Sequence, residues 1–430
     1  MKVLLIATNQ AERYMDRMVV RPLPIGLAYV AAHIDENRHR IKTLDLMFSE
    51  DANADVTRTV ESFQPDVVGL SMRNLDNQSY LNTVWHLPGI RKTVESIRAA
   101  SPAKIVCGGT AFSILPEECL GYLGADMGLA GHATDTFGAL VDRMERGDDY
   151  SDIPGLVYRK GDEIVRNEIG EASEFHNPPR LDLMDISRYN KAGFGVGVVT
   201  KLAPTYYPNR GSSDWNNLEK WRIRPVDEVV SEIADLGEKH EINKVFFIDS
   251  GFNIPVEFAK ELCQSIVDSG LNVRWNSYIR TGNCDSELFD LMKRSGCSLA
   301  LIAATGGHDD AGGNKLADHL GRTKELTAAC RSAELPYTMS ITFGDPGETK
   351  ESVTRKLDFM REVDPAFATL RAGTRVLPNT ALAETARKNG LIDSESDLLK
   401  PVFYIEPNVK GWLVEELMQE TQRHPRWNLM

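Results

Sequence analysis

The residues with chemistry to offer sit in short runs that each follow an apolar stretch. Ser71-Met72-Arg73-Asn74-Leu75-Asp76-Asn77 is a polar run that opens where Val67–Leu70 ends. Cys107-Gly108-Gly109-Thr110-Ala111 follows Ile105–Val106, and Ala130-Gly131-His132-Ala133-Thr134 precedes a helical pattern. Glycine lets a ligand approach the backbone closely, although paired glycines after a strand also serve plain tight turns. Further along, Gly344-Asp345-Pro346-Gly347-Glu348-Thr349 forms another turn, and Arg375, Tyr404 and Glu406 stand at strand or loop ends. An arginine can hold a carboxylate in two parallel hydrogen bonds, and Asp249 and Glu406 are candidate proton acceptors. The six cysteines, Cys107, Cys119, Cys263, Cys284, Cys297 and Cys330, contain no C-x-x-C pair, so no zinc or cluster motif is present.

The elements that must position these runs alternate strand and helix. Lys2–Ala7, a helix from Pro24 to Glu36, Ile41–Asp45, Val67–Ser71, a helix over Ile90–Ala100, Lys104–Gly108 and a helix over Asp135–Arg146 predict a doubly wound parallel sheet. In such sheets ligands sit beyond the carboxyl ends of the strands, where the polar runs fall. A second alternation starts near Val196, with a helix over Val226–Lys239 and a strand from Val245, and continues to Asp364 as a partial (β/α) barrel. The expected organisation is an α/β first domain over 1–160, a linker over 161–195, the barrel over 196–365 and a C-terminal segment over 366–430 whose tail is one more helix and a short end.

The net charge of −13 carries no basic excess, so nucleic acid is not an expected partner. No apolar run reaches the roughly 18–20 residues of a membrane span. The opening Met1–Gln10 turns polar too soon for a signal peptide. A cytoplasmic protein without membrane attachment is expected.

Taken together the runs resemble the cobalamin-dependent radical SAM family. The first 160 residues carry Pro24-x-Gly26-Leu27-Ala28-Tyr29, Pro65-Asp66-Val67-Val68-Gly69-x-Ser71, Gly108-Gly109, Pro116-Glu117 and Asp152-Ile153-Pro154-Gly155-Leu156. The barrel carries Val245–Asn253, Leu291-Met292-Lys293-x-x-Gly296-Cys297 and the Gly344–Thr349 turn. The C-terminal segment adds Arg375–Thr380 and Asp397–Tyr404. The resemblance implies that Arg73, Asn74, Leu75, Asp76 and Asn77 lie under a corrin. It implies further that Gly108, Gly109, Thr110, Gly131 and His132 contact its nucleotide tail, and that Gly344, Pro346 and Gly347 serve S-adenosylmethionine (SAM). The sequence lacks Asp-x-His-x-x-Gly, and His86 and His132 lie outside such a motif, so cobalt without a histidine ligand is expected.

One part of the family pattern is missing. Where the resemblance calls for C-x-x-x-C-x-x-C, this chain has Pro204, Pro208 and Gly211, and no cysteine occurs between Cys119 and Cys263. Proline and glycine offer no thiolate, so no iron–sulfur cluster is expected. The family's Gly-x-Glu-Ser-Gly stretch is replaced by Ala304-Thr305-Gly306-Gly307-His308-Asp309-Asp310. The methionine end of SAM then needs another anchor, for which Tyr206, Tyr207, Asn209 and Arg210 are candidates. With cobalamin and SAM but no cluster, the expected reaction is polar alkyl transfer to a small molecule, drawing on an external reductant. The alternatives are cyclisation of SAM itself to 1-aminocyclopropane-1-carboxylate, with methylthioadenosine released, and cobalamin binding without catalysis.

Overall fold

The computed structural model describes every residue except 11, 15–17, 171–176, 191–194, 203–220, 283–284 and 305–313. Pro204, Tyr206, Tyr207, Pro208, Asn209, Arg210 and Gly211, and Thr305–Asp310, therefore lie outside the described residues.

Strands with near-continuous apolar runs become central because both of their faces must be covered. In the first sheet β1 (Lys2–Ala7), β2 (Arg40–Asp45), β3 (Val67–Ser71), β4 (Lys104–Gly108) and β5 (Met127–Leu129) are parallel in the order β2-β1-β3-β4-β5. An antiparallel pair, β6 (Leu156–Lys160) and β7 (Glu163–Arg166), extends the edge, so the sheet continues past residue 160. Alternate side chains sort to opposite faces. Leu4, Ile6, Val68, Leu70 and Ile105 pack under α2 (Ala52–Phe63), α3 (Leu87–Ala100) and α4 (Pro116–Leu123). Val3, Leu5, Val67 and Val106 pack under α1 (Ile25–Ala32) and α5 (Thr136–Arg146). The strand order reverses between β1 and β3, and there Thr8 donates from its backbone N–H and its hydroxyl to the Ser71 carbonyl, at 3.1 and 2.9 Å.

The second sheet is wholly parallel. Its order is β8 (Val196–Val198), β9 (Lys244–Phe247), β10 (Arg274–Ile279), β11 (Cys297–Ala303), β12 (Tyr337–Phe343), β13 (Phe367–Ala372) and β16 (Trp427–Leu429). The short end expected after the last helix is itself a strand: Trp427 pairs with Ala368, so residues 427–429 join the barrel sheet. One face of this sheet is buried under α6 (Val226–His240), α7 (Val256–Asp268), α8 (Ser286–Arg294), α9 (Asn314–Ser332), α10 (Lys350–Val363) and α12 (Leu413–Arg423), around Phe247, Trp275, Met339, Phe343 and Leu370. Between β13 and β16 a two-stranded pair, β14 (Thr374–Arg375) and β15 (Phe403–Tyr404), and α11 (Ala381–Lys388) reach back to the first domain. Val376, Leu382, Leu398 and Tyr404 bury Leu115 there. On the other side Ile25, Tyr29 and Met47 enter the barrel's core. No helix among the described residues is long and apolar enough to cross a membrane.

Candidate active site

The loops at the carboxyl end of the first sheet are woven together by backbone. Met72 donates to the Gly108 carbonyl at 2.8 Å, and Ala111 donates to the Met72 carbonyl at 3.0 Å. Gly109 sits at φ +98°, where an added Cβ would stand 2.5 Å from the Met72 oxygen. That crossing explains the glycine more directly than ligand contact does. Gly109→Ala should cost about 1–3 kcal/mol through strain. Urea denaturation checks it, and an unchanged denaturation midpoint would refute the packing account.

Gly131 is also a packing glycine. Its N–H donates to Ser113 Oγ at 2.9 Å, and Ile169 Cγ2 lies 2.4 Å from where its Cβ would be. Direct contact with a nucleotide tail, expected for Gly131, is therefore corrected: Ile169 covers it. His132 beside it is half-buried, and burial lowers its imidazole from the ordinary value.

The Arg73–Asn77 run divides. Leu75 is core, 3% exposed, and is corrected as a corrin contact because it packs with Leu70 and Leu87. Asp76 is also corrected. Its carboxylate is buried and accepts from Arg375 Nε at 2.8 Å and from the Gln78 N–H at 2.8 Å. Asn77 holds its own loop, donating to the Asn82 carbonyl at 2.7 Å and accepting from the Val84 N–H at 3.0 Å. Exposed Arg73, half-exposed Asn74 and the backbone of Gly108 remain available to a ligand, while the Thr110 hydroxyl donates to the Arg73 carbonyl. Bare backbone with flanking hydrogen-bonding groups, at a strand-order reversal, fits a broad flat cofactor.

Arg375 was expected to orient a substrate, and the structure overturns that. Besides Asp76 it donates to the carbonyls of Leu398, at 2.9 Å, and Val376, so its guanidinium is consumed in fastening β14 to the first domain. Asp249 is likewise no free base. It is buried, accepts from the Thr200 hydroxyl at 2.5 Å and pairs with Lys201 at 3.5 Å, while Lys201 also donates to the Phe252 carbonyl at 2.9 Å.

Tyr404 and Glu406 do come together with the glycine turn. Tyr404 donates its hydroxyl to Glu406 Oε2 at 3.0 Å, and the same oxygen accepts from the Gly347 N–H at 2.7 Å. Burial, then the neighbouring Glu406 carboxylate, pushes the Tyr404 phenol up to about 12. Tyr404 is therefore a neutral donor near pH 7, and Glu406 is half-exposed beside it. Gly344 and Gly347, at φ +95° and +79°, shape the turn, and Gly347 is exposed. Pro346 between them is half-buried.

Sequence reasoning missed the sheet face turned away from the helices. Along Tyr337–Phe343 the residues Thr338, Ser340 and Thr342 alternate with buried Tyr337, Met339, Ile341 and Phe343. Registered against them on β13 are Phe367, Thr369 and Arg371. A parallel barrel normally fills this face with branched apolar side chains. Here it is half-exposed and hydroxyl-lined, and Tyr278 on β10 is 47% exposed. The period-two alternation of Thr and Ser was the signal that could have found it.

With this geometry established, four similarities bear on it. A B12 binding domain family matches residues 18–141. An uncharacterized methyltransferase of Pyrococcus horikoshii is 25% identical over 91% of this chain and 84% of its own length. Tryptophan 2-C-methyltransferase of Streptomyces laurentii is 22% identical over 84% and 72%. Among solved structures, the radical S-adenosylmethionine methyltransferase TsrM of Kitasatospora setae shares the fold. Its TM-score is 0.82 at 20% identity, over 99% of this chain and 90% of that one.

Proposed function

We propose, from the B12 binding domain matched over residues 18–141 and the shared fold, that this chain is a cobalamin-dependent enzyme of the radical SAM kind that uses SAM as alkyl donor. Methyl transfer to a small molecule, by polar chemistry, is the reaction we favour. The observation that carries the reading is the direct fastening of the expected corrin loop to the barrel's C-terminal segment, Asp76 to Arg375 at 2.8 Å. It joins the cofactor loops to strands whose free face is open and polar. Bound there, cobalamin supplies a cobalt centre able to take an alkyl group from a sulfonium and pass it on. The chain's own part is to fix the loops and hold SAM in line.

A polar reaction is supported by the cysteines. A cluster needs thiolates, and none of the five described cysteines is exposed. Burial pushes the Cys107 and Cys263 thiols up to about 12 and the Cys119 and Cys297 thiols well above the ordinary value. Among the described residues no cysteine, histidine and carboxylate group gathers to hold a metal. Cobalt without a histidine ligand, an external reductant and a cytoplasmic setting complete the proposal.

A second reading, cyclisation of SAM, is favoured by one observation: the half-exposed Glu406 carboxylate beside the Gly344–Gly347 turn. In that reaction the α-proton passes to a base, the α-carbon bonds to the carbon beside sulfur, and methylthioadenosine leaves with the carbon–sulfur electron pair. The two readings differ in product. Cobalamin-loaded protein incubated with SAM and a chemical reductant should yield S-adenosylhomocysteine, stoichiometric with cobalamin when no acceptor is added. Methylthioadenosine instead would replace the first reading by the second. Neither product, from protein that retains both ligands, would overturn an enzymatic role.

A further inference from the structure

The hydroxyl-lined face of the barrel holds a cation with no counter-ion among the described residues. Arg371 lies between buried Leu370 and Ala372, so its side chain rises on the face away from the helices. Across the sheet it registers with Thr342, and Ser340 registers with Thr369 two residues earlier on β13. Thr342, Thr369 and Ser340 are each half-buried. Nearby buried cations are engaged: Lys201 with Asp249, Lys356 with Glu348 at 2.5 Å, Arg375 with Asp76. Arg371 makes no ion pair or hydrogen bond with any described residue. A half-buried guanidinium loses hydration without gaining a partner, and a ligand anion would offset that cost.

Its position suits one anion in particular. From Arg371 the chain runs through Gly373 to Arg375, whose guanidinium grips the Asp76 loop. Four residues span at most about 14 Å, so an anion held at Arg371 sits within a small molecule's reach of the expected corrin loop. A planar fork prefers a carboxylate, bound through two parallel hydrogen bonds.

We propose that Arg371 binds the carboxylate at the methionine end of SAM, with the Thr342 and Thr369 hydroxyls beside it. This rests on the reading of SAM as substrate. It supplies the anchor that the loss of the cluster cysteines at 204, 208 and 211 requires, from a barrel strand instead of from Tyr206, Tyr207 or Arg210.

Equilibrium dialysis of cobalamin-loaded wild type, R371Q and R371K against SAM and against decarboxylated SAM tests it. R371Q should bind SAM about 10–100-fold more weakly, R371K should recover part of that, and decarboxylated SAM should bind wild type and R371Q alike. Thermal melts of the three proteins should coincide, since the Arg371 guanidinium has no partner among the described residues to lose. SAM bound equally by wild type and R371Q would overturn the proposal, as would an equal loss for decarboxylated SAM. Intact SAM affinity with lost turnover would mean that the carboxylate belongs to an acceptor, and would overturn it too. Wild type that binds no SAM would instead sink the proposed function on which it stands.

Discussion

Replacing Arg375 by methionine should destabilise the protein by about 3–5 kcal/mol, the usual cost of leaving one half of a buried ion pair behind. The pair is buried on both sides, at 6% and 4% side-chain exposure, and its partners lie 299 residues apart. Asp76 would keep the Gln78 N–H but lose its cation. The carbonyls of Val376 and Leu398 would lose donors as well. Under the proposed function, retained cobalamin should fall together with stability, because Asp76 belongs to the Ser71–Asn77 loop. Urea denaturation of R375M, D76N and the double variant measures both the loss and the coupling. The double variant should recover part of the loss, since removing both charges leaves none buried unpaired. Strictly additive losses would show that the pair is not a coupled fastening.

Arg375 also shows where sequence reading stops. An arginine at a strand end is visible in the sequence, but its partner is fixed only by how β14 meets a loop of the other domain. The same residue can serve a substrate or a scaffold, and burial of the partner decides. Asp249 is a parallel case, taken up by Thr200 and Lys201 from the neighbouring strand's end. Glu406 kept partial exposure because the residues around it at the chain's surface, Pro407 and Asn408, are exposed.

The fold was more legible because its signals are local. Val67–Ser71 and Lys104–Gly108 were read at their observed bounds, as apolar runs closed by polar or glycine residues. The helix beginning at Pro24 was read too long. It ends at Ala32, and Asp35 then accepts from the Asn37 N–H at 3.0 Å in a turn that stops it. The helix Ala52–Phe63 went unread because only Val56, Val60 and Phe63 are buried, although Asp51 caps it by accepting from the Ala54 N–H at 3.1 Å. The final strand Trp427–Leu429 carries no local signal of its own. Pairing with Ala368–Leu370 makes it a strand.

The Gly344–Thr349 turn, read at first as a SAM-binding motif, is largely satisfied by its own residues, and Lys356 is the test of that. Its ammonium is 1% exposed, pairs with Glu348 at 2.5 Å and with Asp345 at 3.6 Å, and donates to the Thr342 carbonyl at 2.9 Å. Glu348 in turn accepts from the Gly344 N–H, and Asp345 accepts from the Thr374 hydroxyl at 2.6 Å. Lys356→Met would leave two buried carboxylates without a cation, at a cost of about 3–5 kcal/mol. The loss should depend on pH with a definite sign. Burial already pushes the Glu348 carboxyl up, against the opposing pull of Lys356, and without the lysine it rises further. A raised carboxyl contributes stability below its unfolded value that is lost as pH climbs through its folded value. The deficit of K356M relative to wild type should therefore be smallest near the ordinary glutamate value of 4.5 and grow toward pH 8. Chemical denaturation across that range measures it. A deficit independent of pH would mean that the lysine contributes by packing alone, and the turn would again be open to a ligand role.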